Sequence, residues 1–159
     1  MPVLLEGTCH CKSVKYTVES NTPVPFQLCQ CSICRKVGGY MGSVNMMGNT
    51  KTLNIIRGKD KIKVYVAAVE FDENDKPTKM GNSKRSFCTE CSSMLWNYHD
   101  EWPDPNPLPS IPESASLICI MRDSCPKHVP VPAGAKVYGG YGPGDSIEGW
   151  HKENNRWAD

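Results

Sequence analysis

Nine cysteines in 159 residues constrain this chain more than any other feature. They stand at 9, 11, 29, 31, 34, 88, 91, 119 and 125, and seven fall into close-set groups. The groups are Cys9-His10-Cys11, Cys29-Gln30-Cys31-Ser32-Ile33-Cys34 and Cys88-Thr89-Glu90-Cys91. Disulfides and metal compete to explain such a density. The opening Met1-Pro2-Val3-Leu4-Leu5-Glu6-Gly7 has no basic stretch, a short apolar run and an acid at Glu6, so it does not read as a secretory signal. A cytoplasmic, reducing location is therefore expected, where structural disulfides are rare. With an odd count and tight clustering, metal is the better reading.

Zinc takes thiolate or imidazole ligands tetrahedrally, and C-x-C or C-x-x-C turns bring two sulfurs close enough to chelate one ion. One early pair and one late pair make four, so Cys9, Cys11, Cys88 and Cys91 are expected to form a closed, structural site. That leaves Cys29, Cys31 and Cys34, and three protein ligands with an open fourth position distinguish catalytic zinc from structural zinc. Three thiolates over-neutralise a dication, leaving a weak Lewis acid but a workable holder of a fourth, exogenous thiolate. Nearby cations would favour its arrival, and Arg35 and Lys36 follow the triplet directly. They read equally well as solvated charges. A second arrangement stays open, in which all seven cysteines are structural and Cys119 or Cys125 completes the second site. A Cys88–Cys91 redox dithiol would need a βαβ context that is missing. His10 should point away from the ligands flanking it. Cys119, inside Leu117–Met121, reads as a buried small hydrophobe, Cys125 is uncommitted, and His99, His128 and His151 lie in loop-like sequence with no assigned role.

Hydrophobic patterning points to strands. Val14, Tyr16 and Val18 alternate with polar neighbours, as do Ile62, Val64 and Val66 with Lys63, Tyr65 and Ala67. A turn at Arg57-Gly58-Lys59-Asp60 suggests that 52–57 and 61–68 form a hairpin. Further strands are expected at Tyr40–Met47, Met94–Tyr98 and Ser116–Met121, and one or two helical turns at Ser32–Val37, stopped by Gly38-Gly39. Phe71–Asn82 reads as a charged loop. Trp102–Pro112 holds five prolines, so it is extended and unfit for a central strand. The Pro/Gly-rich tail, 126–159, is expected to wrap over a core of about 4–125. One mainly β domain, 1–159, follows. A net charge of +1 argues against nucleic-acid binding, and no apolar run is long enough to span a membrane. The oligomeric state is not legible.

Gly7-Thr8-Cys9-His10-Cys11, Cys29-Gln30-Cys31-Ser32-Ile33-Cys34-Arg35-Lys36 with Gly38-Gly39, and Arg85-Ser86-Phe87-Cys88-Thr89-Glu90-Cys91 together resemble the glutathione-dependent formaldehyde-activating enzymes. The wider group includes centromere protein V-like proteins. The resemblance covers roughly residues 4–125 and rests on three cysteine motifs in a fixed order. It implies an Mss4-like β-tent of antiparallel sheets stapled by zinc. It also implies two zinc ions per chain, one structural on Cys9, Cys11, Cys88 and Cys91, one catalytic on Cys29, Cys31 and Cys34. The implied activity is that of a carbon–sulfur lyase, condensing glutathione with formaldehyde reversibly to S-hydroxymethylglutathione. Lys12 and Ser92 stand where the family usually has Gly, Gln30 stands where it usually has His, and Phe71–Met80 looks inserted. These departures suggest a rebuilt pocket and a different electrophile. Tyr65, His99 and Arg85 are candidate acid–base groups, and Arg35 is a candidate catalytic residue.

Two functions compete. One is a zinc-dependent lyase whose partner is glutathione or a glutathione adduct. The other is a non-catalytic, zinc-stapled protein-interaction module, which needs no open coordination position.

Overall fold

The structure is a computed structural model and describes residues 1–107, 117–142 and 146–159. It is mainly β, with three open sheets and no closed barrel. In the first sheet, β1 (Val3–Thr8) pairs with β2 (Lys15–Ser20), and β2 with β5 (Asn54–Arg57), all antiparallel. The second runs β11 (Lys136–Val137), β10 (Ile118–Ile120), β3 (Thr22–Cys29), β4 (Ser43–Met47). Here β3 and β4 are antiparallel, whereas β10 lies parallel to both β3 and β11. The third is an antiparallel meander of β6 (Ile62–Phe71), β7 (Pro77–Cys88), β8 (Met94–His99) and β9 (Trp102–Pro107). Two short α-helices, α1 (Ser32–Gly38) and α2 (Ile147–Glu153), and three single 3-10 turns complete the described elements.

Strand alternation explains how the sheets position chemistry. In the second sheet Ser43, Cys29 and Ile120 lie in one cross-strand row, and Val44, Leu28 and Cys119 in the next. The first row's Cys29 and Ile120 join Ile118 and Ile147 in a cluster that Cys31 and Cys34 pack against. The second row packs with Leu117 on the opposite face. In the meander, Cys88 and Trp96 join Cys9, Val14, Tyr16, Val18 and Leu95 in a separate core. The buried Tyr16 hydroxyl donates to Leu95 O at 2.9 Å and binds the first sheet to the third. Arg85, three residues before Cys88, projects to the other face.

Most expected elements are present. The helix after Cys31 ends at Gly38, and the strands expected at Tyr40–Met47, Met94–Tyr98 and Ser116–Met121 appear as β4, β8 and β10. β4 starts only at Ser43 because Gly42, at φ 110°, presses its backbone on Cys29. A Cβ there would lie 2.2 Å from the Cys29 carbonyl oxygen. Residue 116 and residues 108–112 of the proline-rich segment lie outside the described residues. Pro103, Pro105 and Pro107 belong to β9, which takes the sheet edge, where missing N–H groups are tolerated.

Three expectations need correction. Residues 52–57 and 61–68 do not form a hairpin, since β5 joins β2 while β6 joins β7 in another sheet. Phe71–Asn82 is not a loop, since β6 runs to Phe71 and β7 begins at Pro77. Only the turn between them remains, closed by Asp72 N–H donating to Lys76 O at 2.9 Å. His151 is fully buried in α2 rather than lying in a loop. Its Nε2 accepts from Val24 N–H at 3.1 Å, and Nδ1 lies 2.7 Å from Ile147 O. In the tail, β11 pairs with β10 and α2 packs against β3.

Candidate functional site

Backbone turns hold the sulfurs. Lys12 N–H donates to Cys9 O at 3.0 Å, and Ser92 N–H to Cys88 O at 2.8 Å, so each pair sits on a tight knuckle. Val14 N–H also reaches Cys9 Sγ at 3.2 Å. These turns bring the sulfurs of Cys9, Cys11, Cys88 and Cys91 within 4.8 Å of one another, although 77 residues separate Cys11 from Cys88. The Cys9–Cys11 and Cys11–Cys88 sulfur separations are 3.4 and 3.9 Å. Zinc–sulfur bonds of 2.3 Å imply a tetrahedral edge of about 3.8 Å, so the four sulfurs fit one ion with small adjustment.

The central triplet is built differently. Cys29 ends β3, Cys31 caps the N-terminus of α1, and Cys34 lies in its first turn with its N–H donating to Cys31 Sγ at 3.3 Å. Their three sulfurs also fall within 4.8 Å of one another. Among the described residues no fourth ligand joins them. Cys119 is fully buried in the opposite cluster, as a small hydrophobe. The Cys125 sulfur accepts from Arg122 at 3.2 Å instead. All nine cysteines are unpaired thiols.

Crowding splits the thiols. Hydrogen bonds from Cys29 and Cys34 hold Cys31 far below the usual thiol range. Hydrogen bonds to Cys31 and Cys34, with burial, push Cys29 far above it. Cys34 is pulled down by Cys29 and by the charge of Arg85, but Cys31 and burial prevail and its thiol is raised. In the other cluster, hydrogen bonding to Ser93 lowers Cys91 to about 5, while burial raises Cys88 to about 11. Each cluster gathers sulfurs close enough for a soft divalent cation to replace their protons on binding.

A cavity of about 30 Å³ opens beside the triplet. One wall is Cys34, Val37, Ser43 and Asn45; the other is Arg85, Met94 and Asn97 from the meander. Arg85 was a candidate from sequence and is here. Tyr65 shares its cross-strand row but is half-exposed, outside the lining. His99 is also outside it, its Nδ1 accepting from Glu101 N–H. The Arg35 guanidinium is committed elsewhere, donating to Gln30 O and Ser124 O, each at 3.0 Å. Lys36 and His10 are exposed. Gln30, fully buried, gives its amide to Met41 O and Pro130 O and accepts from Arg122, so it braces the loop behind the triplet. Sequence reasoning missed Asn97, Asn45 and Tyr141. Partial desolvation and then the charges of Cys29, Cys31 and Cys34 raise the Tyr141 phenol. No spacing signal marks them, because strand register and tail docking bring them to the site.

The sequence model of the family described as glutathione-dependent formaldehyde-activating enzyme matches residues 4–107. A protein of Halomonas elongata, provisionally named a glutathione-dependent formaldehyde-activating enzyme, is 34% identical over 158 residues, covering 94% of this chain and 95% of its own. A crystal structure of a Rhodobacter sphaeroides protein is similar with a TM-score of 0.47 at 23% identity, over 65% of this chain and 83% of that one. A family match across most of the chain, and a relative alike almost end to end, make it a member of the glutathione-dependent formaldehyde-activating enzyme family.

Proposed function

We propose that this protein is a zinc-dependent carbon–sulfur lyase acting on a glutathione adduct, in the manner of an S-hydroxymethylglutathione synthase. The observation that carries the reading is the contrast between the two sulfur sets. One is a complete set of four, while the other is a set of three beside a cavity lined by Arg85. Cys9, Cys11, Cys88 and Cys91 would hold a structural zinc, and Cys29, Cys31 and Cys34 a catalytic one, two ions per chain. At the triplet, zinc would supply an open coordination position that keeps a thiol deprotonated near neutral pH, where a free thiol of pKa about 8.5 is mostly protonated. The chain's own residues do the rest. Val37 and Met94 keep the cavity partly apolar, and Arg85 offers positive charge where a carbonyl oxygen gains electrons. The fixed walls hold the two reactants together.

Lys12, Gln30 and Ser92 all lie off the cavity lining, as does the β6–β7 tip. The departures from the family pattern therefore support no rebuilt pocket among the described residues, and a small carbonyl remains the best electrophile. Nine unpaired thiols are in keeping with a cytoplasmic location, and no described helix is long and apolar enough to cross a membrane. The docked tail supports reading 1–159 as one domain. A second reading, the non-catalytic interaction module, draws on exposed Val64, Val69, Phe71 and Met80 along the β6–β7 ribbon. It gives no role to the open triplet.

NMR exchange between glutathione and formaldehyde tests the choice, with zinc-loaded protein, a Cys34→Ser variant and a protein-free blank. The lyase reading expects exchange at least tenfold above the blank, with Cys34→Ser folded and at the blank rate. Exchange at the blank rate with wild-type protein, or a Cys34→Ser variant that melts as early as Cys88→Ser, overturns it.

A further inference from the structure

Arg85 and Asn97 are directly opposed across β7 and β8, so their side chains leave the same face of the meander, the face turned to Cys34. Arg85 is only 9% exposed and lines the cavity beside Cys34. Asn97 Oδ1 is buried and unpaired. A buried acceptor without a donor is costly, because it has given up its hydrogen bonds to water. A guanidinium donor and an unsatisfied amide oxygen, lining one cavity, call for one occupant that meets both. It must accept from the guanidinium and donate to the amide oxygen. At about 30 Å³ the cavity holds one or two water-sized groups, since each needs roughly 10–15 Å³. No carboxylate lines it among the described residues.

We propose that Arg85 and Asn97 are the oxygen-binding pair of this site, Arg85 donating to the substrate oxygen and Asn97 Oδ1 accepting the hydroxyl proton of the adduct. The inference rests on the glutathione reading above and specifies it: the adduct bears a hydroxyl on the carbon bonded to sulfur. In the forward step the glutathione thiolate, its proton already lost to solvent, forms the C–S bond by attack on the carbonyl carbon. The C=O π pair moves to oxygen beside Arg85. That oxygen takes a proton from solvent water, and the resulting O–H points at Asn97. In reverse the hydroxyl proton leaves, the C–S bond breaks and the thiolate departs. An S-alkyl adduct without the hydroxyl would leave the Asn97 oxygen unpaired.

The test measures glutathione–formaldehyde exchange and inhibition by S-methylglutathione, the adduct analogue lacking the hydroxyl. It uses wild type, Arg85→Lys, Arg85→Met and Asn97→Asp. Loss of one oxyanion donor typically costs 10²–10³ in rate. Arg85→Met and Asn97→Asp are therefore expected to slow exchange by about 100-fold, with S-methylglutathione inhibition within twofold of wild type, and Arg85→Lys to retain part of the rate. Asn97→Asp gives Arg85 an internal carboxylate, so its melting temperature is expected to rise while its rate falls. A purely architectural pair would not give that combination. It also keeps the proposal testable if Arg85→Met does not fold. Rates within threefold of wild type, or rate losses matched by equal losses of S-methylglutathione inhibition, overturn the pairing while leaving the glutathione reading intact. If wild-type protein neither catalyses exchange nor responds to S-methylglutathione, both readings fall together.

Discussion

Lys12 and Ser92 close the two knuckles of the four-sulfur cluster at φ 61° and 58°, backbone angles that glycine adopts freely and other residues do not. They are also the two positions where the family usually has glycine, so the sequence departure and the backbone geometry describe one cost. A residue held in the left-handed region loses roughly 1–2 kcal/mol, offset in part because glycine raises the entropy of the unfolded chain by about 0.4–1 kcal/mol. Both side chains are exposed and carry no described side-chain contact worth keeping. Lys12→Gly and Ser92→Gly are each expected to raise the melting temperature by roughly 2 °C, the shift that about 0.5–1 kcal/mol makes in a domain of this size. Calorimetry on the metal-loaded protein reads it directly. A fall in either variant would mean that the turn is held by something other than its backbone. Gln30 behaves otherwise. Its three hydrogen bonds, to Met41, Pro130 and Arg122, use the buried amide on scaffold rather than on substrate.

Helix α2 shows how the tail is secured. Its buried His151 sits between Val24 N–H and Ile147 O, and Asn21 and Ala158 exchange hydrogen bonds at the tail's end. Burial lowers the His151 pKa below its ordinary value of 6.5. The folded state therefore binds the proton less readily than the unfolded chain. The stability this residue contributes is complete above pH of about 6.5 and is lost as pH falls through the depressed folded value. His151→Gln should cost roughly 1–3 kcal/mol at pH 7.5 by leaving buried backbone groups unpaired. The gap to wild type in urea titrations should narrow toward pH 5.5. Cysteine protonation affects both proteins alike, so a gap constant across that range would exclude His151 as the titrating group. At this same scale the limits of sequence reading are physical. Helix α1 and strands β2, β4, β8 and β10 were legible because local apolar patterning, a continuous apolar run at β10, or Gly38-Gly39 marks them. The 52–57/61–68 hairpin was misread because a turn at Arg57–Asp60 cannot say which sheet each flank joins, a choice made by distant strands β2 and β7. The β6–β7 ribbon was misread because its tip is exposed on both faces, so no burial period is written into it. The sulfur groups were legible from spacing alone, whereas the Arg85–Asn97 pair depends on a register across two strands.

The two sulfur clusters lie on opposite faces of the meander, and β7 carries a member of each neighbourhood. Cys88 packs into the core with Cys9, and Arg85, three residues earlier, lines the cavity with Cys34. The four-sulfur cluster thus ties the chain's beginning to the strand that positions the pocket. With structural zinc contributing on the order of 10–16 kcal/mol in small domains, losing that ion should undo both the fold and the pocket. The triplet closes only a short stretch between β3 and α1, has three ligands rather than four, and borders an open cavity. A competing chelator should therefore reach it first. Stepwise chelation of the metal-loaded protein, with released zinc followed by a metallochromic dye, is expected to show two phases. The first equivalent should leave with the exchange activity and without change in near-ultraviolet circular dichroism. The second should leave slowly and together with the tertiary signal. Cys34→Ser should lack the first phase and keep the second, while Cys88→Ser should show neither a stable fold nor a protected ion. Release of both ions in one step, coincident with unfolding, would mean that the triplet is a second staple, and the division of labour between the two faces of the meander would have to be abandoned.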